Sequence, residues 1–243
     1  MCDNKSHVYN KWHNDVHGGE DREEFFLEEW HRNALSLAPE LGGLKILEVG
    51  CGVGDFAIYL SSLNADVIAV DFSETAIKMA KQKAEYHRSD VEFQVADAEL
   101  LPFSDESFDL IFSCECIEHL NSPQNALSEF YRVLKTSGKL IITTENYSNA
   151  MLLAWIVSWL RSQPFNSGAG VQPIEHFFLF WRVRTMISSC GFSVLRMVGS
   201  HHVFLLLPRF DPSTFVKKEF NNPFLASVFR PLARHVTFEA IKA

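Results

Sequence analysis

The sequence has little of what several function classes require. It holds no stretch of the roughly 18 apolar residues that would cross a bilayer, and residues 1–15 are polar and mixed in charge, without the apolar core of a secretory signal. Basic residues are outnumbered, 22 Lys and Arg against 30 Asp and Glu, for a formal charge of −8. A nucleic acid gripped by its phosphates needs a basic face, so no such partner is expected. Cysteines number five, an odd count: Cys2 near the start, and Cys51, Cys114, Cys116 and Cys190 within or beside apolar segments. Cys114-Glu115-Cys116 is not a zinc spacing and no second pair exists, so no metal is expected and the thiols read as reduced, in a cytoplasmic protein. Internal repeats and low-complexity tracts are absent.

What is present is an apolar fraction of 47%, ample for a sizeable core. The most informative stretch is Leu44-Lys45-Ile46-Leu47-Glu48-Val49-Gly50-Cys51-Gly52-Val53-Gly54-Asp55-Phe56. A short apolar run stops at three alternating glycines, and apolar residues then recur at helical spacing through Phe56, Ala57, Ile58 and Leu60. This predicts a buried strand, a tight turn and a helix. Glycine tolerates positive φ and, lacking Cβ, lets a ligand lie against the backbone. A dinucleotide fingerprint, G-x-G-x-x-G, would place its third glycine where Asp55 stands, beside a pyrophosphate that a carboxylate repels. Glu48 adds a second acid at the strand end. Two acids suit a ligand with a cationic end better than one with phosphates.

Val67 to Asp71 predicts a second strand ending in an acid about twenty residues past the turn, where a carboxylate can accept both hydroxyls of a ribose. A simpler role for Asp71 is to cap the following helix together with Ser73. Ser73 to His87 reads as helix, Val91 to Val95 as strand, Leu110 to Ser113 as strand, Asn125 to Leu134 as helix and Lys139 to Thr144 as strand. Strands alternating with helices predict a parallel α/β sheet.

The segment Glu48-Val49-Gly50-Cys51-Gly52-Val53-Gly54 resembles the first motif of the class I S-adenosylmethionine-dependent methyltransferases. The run from Ala96-Asp97-Ala98 through Leu101-Pro102-Phe103 to Ser107-Phe108-Asp109 resembles the segment of that family in which an aspartate after the third strand takes the adenine amino group. Cys114 to Leu120, ending Ile-Glu-His-Leu, looks like the small-molecule branch that includes quinone-biosynthesis and natural-product methyltransferases. It lacks the Asn/Asp-Pro-Pro-Tyr of amino-methyltransferases, and Asn222-Pro223-Phe224 lies far from any such strand. The resemblance is good from Leu44 to Thr144 and loose elsewhere.

It implies a Rossmann-like, seven-stranded, mostly parallel sheet with helices on both faces and the last strand, near His235 to Ile241, antiparallel. It implies S-adenosyl-L-methionine as cofactor, held by Glu48, Gly50, Cys51, Gly52, Asp71, Phe72, Asp97, Ala98 and Cys114. The expected organisation is a helical cap over residues 1–40, a cofactor-binding core over 41–145, and an acceptor-binding lid with the closing strands over 146–243, all one domain. Tyr9 and Trp12 resemble a cap that closes over the cofactor, and Glu20 to Leu37 predicts an amphipathic helix. The spacing of His7, His13, His17 and His31 fits no common metal site, and they read as solvated surface.

Met151 to Leu160 is apolar on all sides but too short to span a bilayer, which suggests a lid helix or a segment touching a membrane surface. Beyond the linker Ser167 to Gly170, the Glu175-His176 pair resembles one that precedes a helix in small-molecule methyltransferases. His176 is the first candidate for a general base and His119 the second, with His201-His202 weaker. Phe192 to Val198 predicts a sixth strand, and residues 205–229 a helical cover. The many phenylalanines suggest a small apolar or aromatic acceptor. A non-catalytic S-adenosylmethionine-binding partner or regulator is the alternative, and a nicotinamide oxidoreductase is disfavoured by Asp55.

Overall fold

A computed structural model of the chain describes residues 2–17, 26–148, 156, 160, 174, 176–204, 216–218 and 229–243. The core is one mixed sheet flanked by helices. In chain order the elements are α1 (Cys2–His17), α2 (Glu29–Leu37), β1 (Lys45–Val49), α3 (Asp55–Ser62), β2 (Asp66–Asp71), α4 (Glu74–His87), β3 (Glu92–Val95) and β4 (Phe108–Cys114). There follow α5 (Pro123–Val133), β5 (Leu134–Glu145), α6 (Phe180–Ser189), β6 (Phe192–Phe204), β7 (Val216–Lys218) and β8 (Ala233–Lys242). The strand order is β3-β2-β1-β4-β5-β8-β6-β7. Strands β1 to β5 run parallel, and β8 inserts antiparallel between β5 and β6. The seven strands expected from sequence are therefore present, with the last antiparallel, and the three-residue β7 adds an outer edge by pairing with His202–Phe204.

Alternation along each strand divides the core into two layers. Leu47, Val49 and Ile111 face Phe130 of α5 and Val183 of α6. Their neighbours Ile46, Leu110 and Phe112 face Ala34 of α2, Phe56 of α3 and Ala80 of α4. Phe56 meets Phe112 edge-on at 5.1 Å between ring centroids, and each such fully buried ring stabilises the fold by about 1.5–3 kcal/mol. Both faces of β1 and β4 are covered, which is why they read as continuous apolar runs.

Residues 2–17, within the stretch expected as a helical cap, form α1, which docks on α4 where Asn10 Oδ1 accepts from Ser73 Oγ at 2.8 Å and from the Thr75 amide at 3.1 Å. Two expectations change. The helix expected from Glu20 is found as Glu29–Leu37, because the Glu28 amide donates to His31 Nδ1 at 3.2 Å and fixes the start there; residues 18–25 lie outside the described residues. In the segment expected as helical cover, Val216–Lys218 are strand, held by the β6 ladder. Of Met151 to Leu160 only Ile156 and Leu160 are described, both helical; Ser167 to Gly170, Glu175 and Asn222 to Phe224 lie outside the described residues. Among the described residues no helix is long and apolar enough to cross a membrane.

Candidate active site

The carboxyl ends of β1 to β4 open into a cavity of 390 Å³ that α1 and the start of α2 roof with Tyr9, Trp12, Trp30 and His31. Its floor is the β1–α3 turn. The amides of Gly50 and Cys51 both donate to Val70 O, at 2.8 and 3.1 Å, and the Gly54 amide to Cys51 O at 3.0 Å. The three glycines are required for different reasons. A Cβ on Gly50 would lie 2.6 Å from Cys116 Cβ and Sγ, and one on Gly54 would lie 2.8 Å from Ala80 and Phe93. Gly52, at φ +52°, has nothing within 4 Å of where its Cβ would be. Only Gly52 leaves open space, so the ligand-facing glycine is the middle one.

The acids around this floor are held in distinct ways. Asp55 is ion-paired with Lys83, 2.9 Å from each carboxylate oxygen, which offsets part of its charge. Asp71 accepts from the Gly52 amide at 3.0 Å and the Ser73 amide at 2.8 Å, bracing the turn and starting α4 at once. Burial still raises its pKa above the ordinary aspartate value, against these backbone donors. Asp97 accepts from the Glu99 amide at 2.9 Å in the turn after β3. Glu48 is different. It is 2% exposed, its Oε2 has no hydrogen-bond partner, and burial followed by repulsion from Asp71 and Asp55 raises its pKa well above the ordinary range. A buried, unpartnered carboxylate oxygen is costly unless a ligand completes it.

Phe72 and Ala98 also line the cavity, as do Cys51 and Cys114. Burial raises both thiols well above their usual pKa, so they stay protonated and serve as small packing groups. Thus all nine sequence-selected cofactor residues, Glu48, Gly50, Cys51, Gly52, Asp71, Phe72, Asp97, Ala98 and Cys114, border one cavity.

The two histidines chosen as base candidates separate. His119 lines the cavity, with Nδ1 2.7 Å from Ile174 O. His176 is not among the lining residues: its Nε2 is 2.8 Å from Leu120 O, its amide donates to Glu118 O at 2.8 Å, and its ring stacks on Phe178 at 5.7 Å. His201 and His202 fall within β6.

This constellation of an open glycine turn, an acid on the first strand, an acid twenty-three residues on and an unphosphate-like electrostatic floor has counterparts. Residues 47–142 match the family model described as a methyltransferase domain. A demethylmenaquinone methyltransferase of Thermus thermophilus is 32% identical over 68% of this chain and 81% of its own length. A ubiquinone biosynthesis O-methyltransferase of Coxiella burnetii is 35% identical over 67% of this chain and 69% of its own. The chain belongs to the class I S-adenosylmethionine-dependent methyltransferases. Its fold also matches a Thermotoga maritima structure described as an S-adenosylmethionine-dependent methyltransferase, possible histamine N-methyltransferase, with TM-score 0.67 and 21% identity over 98% of this chain and 99% of that one.

S-adenosyl-L-methionine is accordingly the methyltransferase's cofactor, and the site's own features suit it: open space over Gly52, an unpartnered buried oxygen on Glu48, and, among the described residues, no Lys or Arg in the lining. Several lining residues escaped the sequence reading. Of the histidines read as solvated, His13 is buried and His31 half-buried in the roof, where removal from water lowers both pKa values to about 4 and keeps the rings neutral. His13 Nε2 lies 3.9 Å from Asp71 Oδ1. The signal was there, since Tyr9, Trp12, His13 and His17 recur at the three- and four-residue spacing of one helix face. Glu115 lies in the Cys114 to His119 stretch at the carboxyl end of β4, where an open parallel sheet receives its ligand, whereas His235 carried no local signal.

Proposed function

We propose that this methyltransferase acts on a small apolar or aromatic metabolite, in a cytoplasmic setting, with the cofactor held by Glu48, Gly50, Cys51, Gly52, Asp71, Phe72, Asp97, Ala98 and Cys114. Residues 1–40 cap the site, 41–145 bind the cofactor and 146–243 supply the acceptor side, as parts of one domain. The observation that carries the reading is the convergence of those nine residues on one cavity whose roof holds Tyr9, Trp12 and Trp30. The family relatives named for demethylmenaquinone and for ubiquinone biosynthesis support a ring-bearing acceptor.

When bound, S-adenosyl-L-methionine supplies a methyl group on a sulfonium, and its departure leaves a neutral thioether. What the chain supplies is alignment and exclusion of water. Tyr9 and Trp12 close the roof, and the Tyr9 hydroxyl donates to His119 O at 3.3 Å, tying α1 to the end of β4. Asp71 offers carboxylate oxygens to ribose hydroxyls while its backbone bonds hold the turn. Glu48 faces the cationic end of the cofactor. An oxygen or nitrogen acceptor must also lose a proton. With Nδ1–H donated to Ile174 O, His119 presents Nε2 as a proton acceptor, whereas His176 is engaged with Leu120 O.

Titration calorimetry with S-adenosylhomocysteine tests the reading. Binding by the wild type that is weakened in Glu48→Gln and Asp71→Asn is the expected result, and unchanged affinity in both variants contradicts the assignment of these residues.

A further inference from the structure

The far wall of the cavity holds a second group of ionisable residues that the cofactor does not account for. Glu115, the residue after β4, lines the cavity and is a non-glycine in the left-handed region, at φ +48°. A glutamate in that region is uncommon and persists where the surroundings over-determine it. Here they do. Its amide donates to Thr143 Oγ1 at 3.0 Å, the same hydroxyl donates back to Glu115 Oε1 at 2.8 Å, and His235 Nδ1 lies 3.0 Å from Glu115 Oε2. Two separate strands, β5 through Thr143 and β8 through His235, thus hold one carboxylate in place. The His235 ring in turn packs against Trp30 of the roof at 4.8 Å.

Behind Glu115 stand more acids. Glu118 is 2% exposed and its Oε2 receives no N–H or hydroxyl from the protein. Glu145 is satisfied, by Tyr147 Oη at 2.5 Å and Arg234 Nη2 at 2.8 Å. Burial first, then Glu145, raises the Glu115 pKa to about 8, and burial first, then Glu115, raises that of Glu118 to about 8. Facing them across the cavity are the aromatic surfaces of Tyr9, Trp12 and Trp30. Among the described residues no Lys or Arg lines the cavity, and His13 and His31 are neutral. An anionic acceptor would meet this acid cluster with no described lining cation to offset it. A cation would meet a fixed carboxylate and aromatic faces, the two features that recognise ammonium groups.

We propose that Glu115, clamped by Thr143 and His235, is the acceptor-binding residue of this methyltransferase and that the group it receives is the amine of an arylalkylamine, bound as its ammonium. In the step that readies it, one N–H bond of the ammonium breaks, the proton moves to a Glu115 carboxylate oxygen, and the electron pair stays on nitrogen as the nucleophile. The inference rests on the reading of this cavity as a combined cofactor and acceptor chamber.

The test uses the full chain saturated with S-adenosylhomocysteine and three probes of one shape and different charge: phenethylamine, 2-phenylethanol and phenylacetate. Calorimetry or ligand-observed NMR is expected to rank them in that order, with the amine favoured over the alcohol by roughly tenfold or more. Glu115→Gln is expected to abolish the preference while leaving S-adenosylhomocysteine affinity unchanged, and His235→Gln, which loosens the clamp, to reduce it. Equal or weaker binding of the amine by the wild type, or no amine binding at all, overturns the proposal whatever the variants do. Stabilisation by magnesium chloride alone that is lost in Glu115→Gln also overturns it, by assigning the acids to a metal ion. Failure of the wild type to bind S-adenosylhomocysteine sinks the underlying reading instead, so the two failures are distinguishable.

Discussion

The two halves of the cavity are both acidic, yet they handle acid in opposite ways. At the ends of β1 to β3 most carboxylates are individually satisfied: Asp55 by Lys83, Asp71 by the Gly52 and Ser73 amides, Asp97 by the Glu99 amide. Where β4, β5 and β8 meet, carboxylates are packed close to one another, Glu115 with Glu118 and Glu145, and share the contacts of Arg234 with Glu145 and of His235 with Glu115. The first half is pre-arranged for a ligand of fixed shape. The second stores charge repulsion that a cation or a proton relieves, which is the behaviour expected of a site that performs the proton transfer.

The largest expected effect separates the two histidines of the acceptor half. His119→Ala should lower kcat by about 10²–10⁴ if its Nε2, rather than Glu115, takes the acceptor proton, and by far less if Glu115 takes it; His176→Ala, which loses a bond to Leu120 O, should change kcat little and act chiefly on stability. Steady-state kinetics with an accepted substrate checks this, and equal losses in both variants would erase the distinction drawn between them.

On the cofactor half, Asp71→Asn should weaken S-adenosylhomocysteine by about 1.5–3 kcal/mol, roughly ten- to a hundredfold, measured by calorimetry. A wild-type affinity in that variant would mean that Asp71 only braces the turn.

A pH titration of stability contrasts the halves. Glu115 and Glu118 bind a proton more tightly folded, at about 8, than unfolded, at the ordinary 4.5. Their contribution therefore favours folding fully below pH 4.5 and is withdrawn as pH rises toward 8. Thermal unfolding followed across this window should show a decline that is shallower in Glu115→Gln. Glu239, on β8 between Lys139 and Arg196, has its pKa lowered and carries the opposite sign, its contribution being lost as pH falls through its folded value. A Glu115→Gln profile parallel to wild type would contradict the buried-acid account.

The smallest effect concerns the glycines. Gly54→Ala must push Ala80 and Phe93 aside, while Gly52→Ala meets nothing and costs folding only about 1–2 kcal/mol for its backbone. Thermal unfolding should rank Gly54→Ala as the less stable, and S-adenosylhomocysteine binding should be impaired in Gly52→Ala even though its fold is kept. The reverse ranking would reassign which glycine faces the ligand.

The same contrast explains what was legible in the sequence. The cofactor half is built from residues close along the chain, where strand, turn and helix leave local patterns: Glu48 two residues before Gly50, Asp71 closing an apolar run, Asp97 opening a turn. Even there the pairing of Asp55 with Lys83 was hidden, because it joins α3 to α4. The acceptor half is assembled from distant segments. Glu115 and His235 are 120 residues apart and meet because β8 inserts beside β5, with Glu145 registered against His235. No local spacing encodes that encounter. In the roof Tyr9 and Trp12 were legible and the burial of His13 was not: α1 has a polar composition overall, and His13 reveals itself only once the helix is known to lie across the strand ends.

The most direct test of the central claim is a crystal structure of the chain with S-adenosylhomocysteine. The account predicts the ribose hydroxyls on the Asp71 carboxylate, the adenine amino group at Asp97 and the amino-acid end beside Glu48, over Gly52. Density elsewhere, with Asp71, Asp97 and Glu48 unengaged by the bound molecule, would contradict it.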